Sequence, residues 1–150
     1  MADQKDTLAT LNDLIETCKD GQEGFRTASE GVGESDLKQL FSSYSLQRSK
    51  FAGELQSEAK ALGDKTPEET SSLAGAAHRG WINLKAALTS KERHSILSEC
   101  ERGEDIAVAA YKQALETELP ANIREIVERQ SRDVKAAHDK IKALRDASAK

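Results

Sequence analysis

Two carboxylates, Glu101 and Glu104, stand three residues apart in LSECERGEDIAVAAYKQAL (97–115), on the stripe that also carries Leu97, Val108, Tyr111 and Leu115. At 3.6 residues per turn this spacing aims both side chains toward one face of a helix, the face its apolar neighbours bury. Unless the face is misread and the pair points to solvent, a carboxylate there has two stable fates. It ligates a metal ion, or it pairs with a cation from another element, because an unpaired buried charge is too costly. Other polar residues interrupt apolar stripes elsewhere in the chain. They are Gln22 with Glu23 beside it, Arg48 with Glu58 further along, and Gln130 with His138 on the flank of its stripe.

The metal reading has a definite pattern to meet. Carboxylate-bridged bundles take a Glu from each of two helices and a Glu-x-x-His pair from each of the other two, oxygen and imidazole donors that suit iron or manganese. Candidate ligands here are Glu23, Glu54, Glu101, Glu104 and His138, with Glu58 as a further possibility. They would make the chain an iron-handling protein or an oxidoreductase. The pattern is incomplete, however. Glu101-Arg-Gly-Glu104 has the i, i+3 spacing but no His, Glu54 is followed by Ser57, and Lys135 stands three residues before His138. Arg48 belongs to the same set of polar positions, and a guanidinium has no lone pair to donate.

The residue types therefore favour a buried polar layer of Gln22, Arg48, Glu101, Glu104, Gln130 and His138. In it Arg48 neutralises Glu101 or Glu104 through charge-assisted hydrogen bonds, and the glutamines satisfy what remains. On this reading there is no catalytic residue and no cofactor. Ser and Cys have no His and acid at motif spacing, and no glycine-rich phosphate loop is present. His78 falls almost opposite Leu73, Ala77 and Leu84, as a surface or cap residue, and His94 lies in a charged first turn.

The elements that must position these residues follow from periodicity. Leu8, Leu11, Ile15, Cys18, Gln22 and Phe25 mark a helix over 5–31, ended by GVGES. Leu37, Phe41, Tyr44, Arg48, Phe51, Leu55, Glu58 and Leu62 mark a second over 36–62, stopped at Gly63. GDKTPEETSS (63–72) is a loop, and a short helix is expected over 73–88, with Trp81 anchoring it to the rest. Thr89-Ser90-Lys91-Glu92 has capping-box form before a helix over 90–118. Pro120 precedes the last, over 121–147, with Ile123, Val127, Gln130, Val134, Ala137, Ile141 and Leu144 on one side.

Four helices of matched length, each apolar on one side, imply an all-α four-helix bundle forming one domain over 1–150. The segment 63–89 is long enough to carry the chain back along the bundle, so that helices 36–62 and 90–118 run parallel. That is the one-crossover, ferritin-like topology. It would place Gln22, Arg48, Glu101 and His138 in one layer, with Glu104 a turn below.

Composition agrees with this architecture and narrows the partners. Of 150 residues 37% are hydrophobic and 32% charged, with only two Pro. The net charge is −4 and the basic residues are interspersed with acids, which argues against nucleic acid. No apolar run approaches the roughly 20 residues of a membrane span, and MADQKDTLAT lacks the form of a signal peptide. Cys18 and Cys100 lack CxxC spacing and fall on apolar stripes, as buried free thiols in a reducing cytoplasm. Self-association through helix faces is the expected interaction.

LNDLIETCKDGQEGF (11–25), AGAAHRGWINLKAAL (74–88), ECERGEDIAVAAYKQAL (99–115) and the LP at 119–120 carry a resemblance across nearly the whole chain. Together these strings resemble an uncharacterised bacterial family of ferritin-like four-helix-bundle proteins, classed as a domain of unknown function. The resemblance implies the ferritin-like fold and a cytoplasmic bacterial setting, and no established substrate. Against the ferritin pattern proper, the missing Glu-x-x-His pairs speak against ferroxidase activity.

Overall fold

A computed structural model describes residues 3–64 and 81–148, and every regular element among them is helical. Helix α1 spans Gln4–Gly31, capped by Asp3, whose side chain accepts from the Lys5 N–H at 2.9 Å. Helix α2 spans Ser35–Ala61, and Gly63, with φ at +103°, takes the left-handed turn beyond its end. A seven-residue helix, α3, covers Leu84–Ser90; α4 covers Arg93–Leu115 and α5 Ala121–Ala147, entered from Pro120.

The long helices form where 3–4 spacing of apolar residues was expected, with bounds differing by up to three residues at either end. The region around α3 differs more. Part of the expected 73–88 helix lies outside the described residues, as do Leu73, Ala77 and His78. The described part is helical only from Leu84 and continues to Ser90. The expected capping box does not form. Thr89 stays inside α3 and donates to the Lys85 carbonyl at 3.0 Å, Lys91 turns left-handed at φ 58°, and Glu92 precedes α4 without a side-chain cap.

Helix directions follow from cross-helix pairs. Gln22 meets Ser45 and Ser29 meets Lys38, so α1 and α2 are antiparallel. Tyr111 meets Gln130, and Glu101 meets Arg145, so α4 and α5 are antiparallel. Glu54 meets Arg129 and Glu58 meets Asn122, so α2 is antiparallel to α5 as well. Helices α2 and α4 therefore run parallel, so the chain leaves α2 at one end of the bundle and enters α4 at the other. Helix α1 packs against α2 and α4, and α5 against α4 and α2, so α2 and α4 face each other across the diagonal.

The apolar core is divided into two blocks. One gathers Leu11, Leu14, Ile15, Phe51, Leu55, Ile123 and Val127; the other gathers Phe25, Phe41, Trp81, Leu97, Cys100 and Ile141. In sequence, Arg48 lies between Phe41 and Phe51, and Glu104 between Cys100 and Ala107. The interruption in each stripe thus marks the joint between the two blocks.

Candidate functional site

Arg48 and Glu104 meet across the diagonal. Nη1 donates to Oε1 at 2.5 Å and Nη2 to Oε2 at 2.6 Å, with the two side chains 1% and 0% exposed. Nε donates to Gln47 Oε1 at 3.1 Å, and the guanidinium carbon lies 5.4 Å from the centre of the Phe25 ring. A glycine makes room for this long side chain. A Cβ at Gly21 would stand 3.3 Å from Arg48 Nη1 and 3.5 Å from its Cγ. Burial opposes the Arg48 charge, and the adjacent Glu104 more than reverses that, holding its pKa above the ordinary guanidinium value.

A second polar string crosses the core about two turns away, where Tyr111 follows Glu104 by seven residues and Glu54 follows Arg48 by six, and takes one residue from each long helix. Tyr111 donates its hydroxyl to Gln130 Oε1 at 2.7 Å. With that proton committed, the 3.0 Å contact between Cys18 Sγ and the Tyr111 oxygen has the thiol as donor. Gln130 Nε2 then donates to Glu54 Oε1 at 2.9 Å, and Arg129 donates to Glu54 Oε2 at 2.8 Å. The string runs from Cys18 on α1 through α4 and α5 to Glu54 on α2, from the interior to the surface. Burial pushes the Cys18 thiol up to about 11, and raises Cys100 and Tyr111 well above their usual values.

Glu101 turns away from this core. Its Oε1 accepts from Arg145, and Oε2 lies 3.6 Å from His138 Nε2. His138 Nε2 is 2.6 Å from Asp105 Oδ1, and Nδ1 is 3.0 Å from Asp139 Oδ1. Burial works against the His138 charge, but hydrogen bonds to Asp139 and Asp105, with Glu101 nearby, leave its pKa raised. These groups sit at the seam between α4 and α5, with the Asp105 side chain 62% exposed.

The expected single layer is thus resolved into separate sets, and its membership is corrected. Arg48 takes Glu104 and not Glu101, whose partners are Arg145 and His138. Gln130 belongs to the tyrosine string. Gln22 is half-buried beside Ser45, and it is Gly21 that faces Arg48. The alternative ligand set is dispersed. Glu23 is on the outside with Arg26, Glu54 is held by Gln130 and Arg129, Glu58 accepts from Asn122, and Glu104 is fully engaged by Arg48. Only Glu101 and His138 of that set come together. A di-iron or dimanganese centre at the diagonal does not fit these residues, because a guanidinium stands where the shared ligands would have to converge.

Beyond Arg145, Asp139 and Gly21, sequence reasoning missed three further contributors. Asp105 lies four residues after Glu101, a spacing that puts the two on one face. The others are Gly24 and Gly103, which flank the Trp81 indole. A Cβ at Gly24 would stand 2.3 Å from Trp81 Cδ2, and one at Gly103 2.3 Å from Trp81 Cε2. The indole also meets Phe25 edge-on at 4.9 Å. Trp81 therefore anchors the returning chain, as expected, but by insertion between α1 and α4.

A family model described as a domain of unknown function (DUF2383) matches residues 6–117. No curated protein matches the chain.

Proposed function

The chain belongs to the DUF2383 family, a domain of unknown function, and from its diagonal ion pair we propose that it is a non-catalytic helical bundle serving a structural or interaction role. The observation that carries this reading is the bidentate Arg48–Glu104 pair with both side chains sealed from solvent. Groups so enclosed cannot touch a substrate. What they do is fix register, since the pair closes only when α2 and α4 stand at one relative height. The nucleophiles point the same way. Cys18 and Cys100 are free and fully enclosed, and burial keeps both protonated at neutral pH.

Self-association through helix faces belongs to this reading, as does a reducing cytoplasm, which the two free thiols suit. No described helix is long and apolar enough to cross a membrane. The ferritin-like relationship is supported by the parallel α2 and α4 and the single returning connection, the connectivity of that class.

The structural role is tested by Arg48→Met. We expect a large fall in the urea midpoint that Arg48→Met/Glu104→Leu largely restores; an unchanged midpoint in the single variant overturns the reading. Sedimentation equilibrium of the wild-type chain tests the self-association, and a monomer at high micromolar concentration removes that part.

A further inference from the structure

The α4–α5 seam holds a cluster that the structural reading does not use. Among the described residues, Glu101, Asp105 and His138 offer one ligand atom each, all within 4.8 Å of one another. We propose that these three residues bind a single divalent first-row transition ion of the zinc class, with water completing its coordination.

The donor geometry supports this assignment. Asp139 Oδ1 faces His138 Nδ1 at 3.0 Å, so Nδ1 carries a proton and Nε2 is the atom presented to the seam. A histidine ligand held through its other nitrogen by a carboxylate is the usual outer-shell arrangement at metal sites. Lys135 Nζ in turn holds Asp139 Oδ2 at 3.0 Å. Arg145 binds Glu101 through Oε1 and leaves Oε2 turned toward the imidazole.

The spacing is also suitable. Metal–ligand bonds of roughly 2.0–2.2 Å in a tetrahedron give ligand–ligand edges of about 3.4 Å. The distance from Nε2 to Glu101 Oε2 is 3.6 Å, already at that value, and from Nε2 to Asp105 Oδ1 it is 2.6 Å. Asp105 has to open from Nε2 by less than about 1 Å, with the Glu101–Asp105 edge, which lies within 4.8 Å, set by the same movement, and its exposed side chain has room for it. Two anionic oxygens converging on one ring nitrogen require a positive charge among them. A proton on Nε2 now meets that need. Loading exchanges this proton for the ion and releases it to solvent.

One imidazole with two carboxylates is a borderline donor set, which places zinc above manganese in affinity and disfavours calcium. The site is distinct from the excluded diagonal centre. It takes its ligands from adjacent helices, at their outer seam, and would staple α4 to α5.

The test is equilibrium dialysis of the chelator-stripped full chain against zinc chloride, with bound metal counted by elemental analysis. We expect one zinc ion per chain. Cys18→Ala/Cys100→Ala and His94→Gln should keep it, whereas Asp105→Asn and His138→Gln should lose it. Asp139→Asn, changing a positioning residue, should weaken binding by about tenfold. Zinc should also raise the melting temperature of the wild type and leave that of Asp105→Asn unmoved. Binding of less than one-tenth of an ion per chain overturns the proposal, as does equal retention by Asp105→Asn, whose exposed position keeps the fold intact.

Discussion

Glu101 and Glu104 are one helical turn apart on α4, carry the same functional group, and live under opposite rules. Glu104 has one cation, Arg48, in fixed bidentate geometry with no access for water. Glu101, itself 9% exposed, has two partners, Arg145 and the His138 imidazole, at a seam where Arg145 keeps 29% of its side chain exposed. In the sealed core the partner is obligatory, because nothing else can solvate the charge. At the seam partners are exchangeable, because water, a protein cation or a bound ion can each do the work. The first arrangement suits a fixed joint, and the second suits a site.

The largest test of this contrast is Arg48→Met. It leaves Glu104 buried and uncompensated, near Cys18 and Tyr111, and should cost about 3–5 kcal/mol in urea denaturation. Adding Glu104→Leu removes the stranded charge, and most of the loss should return, since a buried pair replaced by apolar groups is often neutral. A double variant as unstable as the single one would show that the loss arises from packing, and the contrast would collapse.

Alkaline pH gives the next largest effect, and it again separates core from seam. Burial lifts Cys18 from 9.0 to about 11, and Cys100 and Tyr111 also move upward. A folded state that holds its proton longer than the unfolded chain is most stable below the unfolded pKa. That stability is lost as pH rises through the folded one. For Cys18 the window is pH 9 to about 11, and the loss is on the order of 2–3 kcal/mol. Urea midpoints should fall across this window, and less so in Cys18→Ala. A flat profile would mean that the core is open to solvent.

Gly103→Ala probes a third direction from the same turn. The new methyl group would meet the Trp81 indole at 2.3 Å, forcing the ring out from between α1 and α4. The expected cost is about 1–3 kcal/mol, with a red shift of the single tryptophan's fluorescence. An unshifted spectrum would mean that the slot is wider than these distances imply.

Four consecutive residues, Glu101-Arg-Gly-Glu104, thus point to a seam, to solvent, to an aromatic insert and to a diagonal ion pair. The limit of what a sequence can convey follows from this. Apolar spacing in 3–4 steps sufficed for the four long helices, and the connection length sufficed for the parallel pair. Arg48 was legible as a buried cation because it falls on the apolar stripe itself, between Tyr44 and Phe51. Its partner was not, since choosing Glu104 over Glu101 depends on about 60° of helix rotation, finer than capping signals resolve. Gly21, one residue from Gln22, was passed over for the same reason. Gly24 and Gly103 carried no local signal, because their meaning lies in a tryptophan far along the chain. Asp105 was visible at i+4 from Glu101, but it reads as an ordinary exposed acid until α5 brings His138 beside it.

The smallest expected effect is at Arg145, and it is the one that bears most directly on exchangeability. Arg145→Gln removes a cation from Glu101, yet His138 stays within 3.6 Å, and although Glu101 itself is buried its neighbour Asp105 is 62% exposed. Stability should fall by less than about a quarter of the Arg48→Met loss. The two sites should also answer differently to salt. Double-variant cycles should give an Arg145–Glu101 coupling that shrinks toward zero in 1 M sodium chloride, where screening acts within about 3 Å, and an Arg48–Glu104 coupling that barely changes. If both couplings respond alike, exposure does not separate these glutamates, and the seam is as fixed as the core. If they diverge, the turn of α4 that carries both has one carboxylate committed to the fold and one available to a ligand.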